Sequence, residues 1–368
     1  MTKYIVSGYI GFDNFGDEAI AKVLVDRLKH EGAEKITLIS SNPEKTAKLY
    51  GVDSCPMLKF FDCIKHSDVL VSGGGSLLQD VTSFKSLLYY LGVIYIAIFF
   101  GKKIEIFAQG IGPINSGFGR MLTRFALGQA QKISVRDRKS QELLKSWGID
   151  AELVKDPIFS LELPVKNLKG TVGIQLRNYP SLSDGFLNAL ADEVIKRFPD
   201  KKIQIFSFQD SIDLDVCEKF ARILAKKDRV KDVEVLSGLS VNDVFDKISE
   251  LEYMIGMRFH ANVAAIISGV KTLAISEETC RRIRPPCNRV KPARFYKRVR
   301  QTGVGKCWST YVVLSEFVWL KSCKVIEISA YWKHCICFVK HFLRAHSGFF
   351  LSFNSRIVIT VELILLNF

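Results

Sequence analysis

Short apolar runs alternate with amphipathic stretches along most of this chain. From Tyr4 to about residue 160 the runs Tyr4 to Ser7, Ile36 to Ser40, Val69 to Ser72, Ile104 to Ala108, Ile133 to Arg136 and Glu152 to Val154 have the length of buried strands, with helical segments between them. That alternation predicts a parallel sheet covered by helices. Asp17 to His30 places Ile20, Val23, Leu24 and Leu28 on one face, sets Asp17 and Glu18 in the first turn, and is closed by Gly32. Asn42-Pro43 is expected to start the next helix as cap and first-turn proline.

A second series follows, in which Val172 to Leu176, Ile203 to Ser207, Val233 to Leu236, Tyr253 to Gly256 and Thr272 to Ile275 are the expected strands. Between the two series, residues 164–170 carry a proline, lysines and a glycine and suit a linker. The expected division is an N-terminal Rossmann-like domain at 1–163, the linker, a partial second Rossmann-like domain at 171–276, and a tail at 277–368. Two such units put a cleft between them at the carboxyl ends of their strands, an α/β architecture resembling the GT-B arrangement.

At 368 residues, 48% hydrophobic and 24% charged, the chain is long and apolar enough for two cores, which excludes disorder. Its net charge of +14 is unevenly spread: basic residues exceed acidic ones by 3 in residues 1–276 and by 11 in residues 277–368. The N-terminal three quarters lacks a basic stripe with interleaved aromatics, so nucleic acid is not an expected partner. No cysteine spacing matches a zinc site; Cys335 and Cys337 beside His334 lack a second pair, and reduced thiols are expected. Met1 to Gly8 enters a strand pattern at once, from which a cytoplasmic location is expected. Leu87 to Phe100 lies in 16 residues without charge, where a membrane span needs about 20. A buried helix is the expectation there, with interfacial contact as the alternative.

Candidate chemistry clusters where strands end. The loop Gly8 to Glu18 joins the first strand to the first helix without the dinucleotide-binding glycine spacing. Gly73, Gly74 and Gly75 are expected to lead into a helix whose free N–H groups could hold a phosphate or carboxylate, and Gln109 ends another strand facing either a ligand or its own loop. Arg136, Arg177 and Arg258 stand at or just past strand ends, where guanidinium groups can grip carboxylate and phosphate. For Arg136 the structural alternative is a pair with Asp137, which is also the expected cap of the next helix. His260 opens a helix directly after a buried strand, two residues from Arg258, and is the candidate for proton transfer.

Gly8 to Ala19, Ser72 to Asp80, Phe107 to Pro113, Ser134 to Asp137 and Gly256 to His260 together resemble the polysaccharide pyruvyl transferase family, particularly its bacterial cell-wall members, over roughly residues 3–276. The resemblance implies a GT-B-like fold and transfer of pyruvate from phosphoenolpyruvate, as a ketal, onto two hydroxyls of a sugar, with no metal or cofactor. The family's Arg-x-His element maps onto Arg258 and His260, with Phe259 where leucine is usual. His260 is then expected as acid/base, and Arg258, Arg177 and Arg136 as anion ligands. Gly73 to Gly75, Asp13, Asn14, Asp17 and Gln109 are expected to line the N-terminal wall. The cell-wall branch implies a lipid-linked saccharide acceptor and peripheral contact with the inner membrane face. A GT-B glycosyltransferase using a nucleotide sugar, or a noncatalytic saccharide- or membrane-binding protein, are the alternatives.

After Ser276 the resemblance stops. Residues 277–368 contain no aspartate, six of the nine cysteines and three of the four tryptophans, without amphipathic period or helix caps. We read this tail as the product of a shifted reading frame, which resequencing around codon 276 would test. In that reading the last strands of the second unit, which would complete the cleft, are missing, at a cost to activity and solubility. The rival is a genuine basic, apolar tail lying on anionic membrane through Phe338 to Phe353 and Ile357 to Phe368.

Overall fold

The computed structural model describes residues 2–180, 182–227 and 232–275, so the tail and its cysteines lie outside the described residues. Seven strands form the first sheet: β1 (Lys3–Ser7), β2 (Lys35–Ser40), β3 (Asp53–Pro56), β4 (Val69–Gly73), β5 (Lys103–Gln109), β6 (Lys132–Val135) and β7 (Glu152–Leu153). All neighbours are parallel, in the order β3-β2-β1-β4-β5-β6-β7. Helices α1 (Phe15–His30), α2 (Pro43–Tyr50), α3 (Phe60–Lys65), α4 (Phe84–Phe99), α5 (Gly117–Gly128) and α6 (Arg138–Ser146) connect them.

The second sheet, order β10-β9-β8-β11-β12, is also parallel and is built from β8 (Thr171–Gln175), β9 (Ile203–Phe206), β10 (Val233–Leu236), β11 (Leu251–Gly256) and β12 (Lys271–Ala274). Its helices are α7 (Asp184–Arg197), α8 (Asp210–Ala225), α9 (Val241–Ser249) and α10 (Phe259–Ile267). The expected strands lie within a residue or two of the observed ones. Edge strand β3 was not expected: of its four residues only Cys55 is buried, so it carries no readable alternation.

The caps explain the helix starts. Asn42 accepts from the Lys45 amide with Pro43 in the first turn, and Asp137 accepts from Ser140, as the sequence predicts. Helix α4 buries Leu87, Tyr90, Leu91, Val93, Ile94 and Ala97, which agrees with the core reading of that apolar stretch. Among the described residues no helix is long and apolar enough to cross a membrane.

The two sheets are joined by a shared core. Phe15, Ala19 and Ile20 of α1 pack with Phe206, Phe208, Phe245 and Ala261 of the second unit. The rings of Phe15 and Phe208 are 4.4 Å apart, and the Phe15 amide donates to the Phe208 carbonyl at 2.9 Å. Burying α1 this way points the topological switch of the first sheet, between β1 and β4, at that of the second, between β8 and β11.

Candidate active site

The loops leaving β1, β4, β6, β7, β8 and β11 supply the site. His260 stands in the first turn of α10, and its ring rests on Gly16 of α1 so closely that a Cβ there would lie 1.8 Å from Nδ1. Glycine at position 16 is what lets the imidazole into the interface. The other ring nitrogen, Nε2, lies 3.4 Å from Asp156 Oδ2 and 3.3 Å from Arg136 Nη1.

Arg136 follows β6 and donates from Nη1 to Asp156 Oδ2 at 2.8 Å and from Nη2 to Ser76 Oγ at 3.1 Å. Its guanidinium also lies over the ring of Phe259, 5.5 Å from the centroid. The pair with Asp137 is not formed; Asp137 caps α6 instead. Burial opposes ionisation of Asp156. The His260 hydrogen bond, the positive charges of His260 and Arg136, and the Ile158 amide outweigh it and hold this carboxyl below the ordinary range.

Asp17 sits in the same cluster, against Gly75, where a Cβ would lie 2.6 Å from its Oδ1. Loss of hydration raises its carboxyl above the ordinary range. The charges of His260, Arg136 and Arg258 oppose that rise, while Asp156 adds to it. One carboxyl held ionised and one inclined to keep its proton thus flank the same imidazole.

Arg258 was expected to face the anion, but its guanidinium turns into the second unit and is buried. Nε and Nη2 donate to the two carboxylate oxygens of Asp213 at 2.6 and 2.8 Å, and Nη2 also to Gln209 Oε1 at 3.3 Å. Its backbone amide donates to Gln175 Oε1 at 2.7 Å. Packed this way, Arg258 anchors the start of α10 and hence His260. Arg177, after β8, is half-buried with its guanidinium 5.1 Å from the Tyr179 ring centroid.

The glycine turn departs from expectation. Gly73 closes β4, Gly74 and Gly75 adopt left-handed conformations, and the Gly74 amide is taken by the Phe107 carbonyl. No helix starts there: Leu77 and Leu78 drop into the core and α4 begins only at Phe84, capped by Ser83, so no helix N-terminus faces the site at this turn. The turn instead makes room for Asp17. Gln109 is fully buried and its Nε2 donates to Ser72 Oγ at 2.9 Å, which ties the end of β5 to the end of β4 rather than to its own loop. Asp13 pairs with Lys45 at 2.7 Å on the surface, and Asn14 caps α1.

Sequence reading missed Asp156, Asp213 and Ser76. Asp156 had a signal: a carboxylate before Pro157, directly past a strand of the same sheet as Arg136, capping a short 3₁₀ turn. Asp213 had none, because an aspartate in the first turn of a helix reads as a partner of the helix dipole until the helix is docked.

Two parallel-sheet units with their switch points opposed define a GT-B-like fold. A family model for polysaccharide pyruvyl transferase matches residues 14–279, and the chain belongs to that family of transferases. Solved structures agree on the fold. A putative UDP-N-acetylglucosamine 2-epimerase from Listeria monocytogenes superposes with a TM-score of 0.51 at 10% identity, covering 74% of this chain and 79% of that one. The UDP-GlcNAc 2-epimerase from Methanocaldococcus jannaschii gives 0.52 at 11% identity, covering 74% and 83%. No curated protein matches the sequence.

Proposed function

We propose that the chain moves pyruvate from phosphoenolpyruvate onto two hydroxyls of a saccharide, without a cofactor. The observation that carries the proposal is the Arg136–Asp156–His260 cluster, which combines an anion ligand, an ionised carboxylate and a proton carrier at one interdomain position.

The reaction needs a proton on C3 of the enol phosphate, attack by one hydroxyl oxygen at C2, cleavage of the C2–O bond to phosphate, and attack by the second hydroxyl at C2. Two protons leave the diol; one ends on C3 and one on the released phosphate, so no oxidant or reductant is required. His260 is the acid/base, with Asp156 stabilising its protonated form. Asp17, whose carboxyl is raised by burial, is a second proton source beside it. Arg136 and Arg177 are assigned to the phosphate and carboxylate, and Arg258 is assigned to positioning, because Asp213 occupies its guanidinium.

The test is phosphate release from phosphoenolpyruvate in the presence of a saccharide diol, with mass spectrometry for the ketal. Release that depends on saccharide and is lost in His260→Gln supports the assignment. Unchanged turnover in a folded His260→Gln protein would refute it.

A further inference from the structure

Helix α5 is amphipathic in an inverted sense. The residues it buries are mostly small, Gly119, Thr123, Ala126 and Leu127, while Phe118, Met121 and Phe125 point outward. Phe118, Met121 and Phe125 are 56%, 59% and 55% exposed, at a spacing that puts them on one face. Helix α4 extends that face. Phe84, itself exposed, lies beside Gly119, and the Tyr95 ring stacks on Phe125 with centroids 5.8 Å apart. Exposed aromatic and methionine side chains grouped in this way are unusual on the surface of a monomeric soluble protein.

The charges that α4 and α5 place beside this face are of one sign. Neither α4 nor α5 contains an aspartate or glutamate, and Lys85, Arg120 and Arg124 are exposed on them. The carboxylate near Arg120 is Asp80, which already accepts the Asn115 and Ser116 amides at the start of α5. A two-fold contact through this face would bring Arg120 and Arg124 of both copies together without a carboxylate from either helix to pair with them. An anionic surface with an apolar layer beneath it satisfies both features.

We infer that α5 and the adjoining face of α4 dock the protein on an anionic phospholipid bilayer. Phe118, Met121 and Phe125 enter the acyl boundary, while Arg120, Arg124 and Lys85 meet the headgroups. Helix α5 follows the loop after β5, in which a Cβ on Gly110 would lie 3.6 Å from Arg136 Nε. The docking face therefore starts at the rim of the cleft and would present it to an acceptor held at the membrane surface. That last consequence rests on the proposed saccharide transfer; the docking itself does not.

The experiment is co-sedimentation of the full chain with vesicles of phosphatidylglycerol and phosphatidylcholine, beside vesicles of phosphatidylcholine alone, without any substrate. Phe118→Ser with Phe125→Ser, and separately Arg120→Glu with Arg124→Glu, are exposed replacements whose folding a thermal melt checks. The inference predicts binding to the anionic vesicles that weakens with salt and falls roughly tenfold or more in each double variant. Undiminished binding in both variants would place the contact elsewhere, the basic tail included, and overturn it. Equal binding to both vesicle types, or self-association abolished by the phenylalanine replacements without vesicle binding, would overturn it as well. Because no phosphoenolpyruvate is present, failure here leaves the transfer reaction to its own test.

Discussion

Arg136 Nη1 and His260 Nε2 lie 3.3 Å apart across the interdomain cleft, although 124 residues separate them in the chain. Asp156 makes this contact sustainable, since its Oδ2 accepts from Arg136 at 2.8 Å and lies 3.4 Å from the same imidazole nitrogen.

Asp156→Asn should therefore lower kcat by roughly 10² or more, with a smaller change in KM, because it removes the charge that stabilises protonated His260. Steady-state phosphate release across pH measures this. A fall in kcat at every pH supports the assignment, and loss of KM alone would mean that Asp156 only helps bind substrate.

Asp17 and Asp156 should have opposite effects on stability. Asp156 is held low, so its ionised form stabilises the fold above the ordinary carboxylate range, and that contribution is lost as pH falls through its lowered value. Asp17 is raised, so the fold loses stability as pH climbs from the ordinary range through its higher value. Denaturant melts of Asp17→Asn should show a gain over the parent at neutral pH that closes in acid, together with loss of turnover. Asp156→Asn should show a loss at neutral pH that also closes in acid.

Gly16→Ala puts a Cβ 1.8 Å from the His260 ring. Either the ring or α1 must shift, at an expected cost of about 1–3 kcal/mol. Activity should fall further than stability, because the displaced ring leaves Asp156. Thermal melts and turnover on the same preparation separate the two effects.

Breaking the buried Arg258–Asp213 pair by Asp213→Asn or Arg258→Met should each cost about 3–5 kcal/mol, since one charge is left without its partner. The double replacement should recover much of that loss. If Arg258 instead served only as a substrate ligand, Arg258→Met would abolish activity while leaving the melt unchanged.

Much of the fold was legible because buried parallel strands are short apolar runs and the helix caps Asn42 and Asp137 announce themselves. Edge strand β3 was not, since Asp53, Ser54 and Pro56 carry no alternation. Within the site, Arg136 and His260 could be found from their places after strands. The direction of a guanidinium could not: Arg258 sits at an equivalent position yet turns to Asp213, a partner brought near only when α8 docks. The glycine turn misled for a related reason. Leu77 and Leu78 extend the chain into the core before α4 begins, and apolar residues just after glycines read equally well as the first turn of a helix.

The most direct test of the central claim is a thermal-shift titration of the full chain with phosphoenolpyruvate beside a panel of nucleotide sugars, repeated on Arg136→Ala. Selective binding to the folded form raises its melting temperature by mass action. The account predicts a concentration-dependent rise with phosphoenolpyruvate that Arg136→Ala abolishes. A rise with nucleotide sugars and none with phosphoenolpyruvate would contradict it.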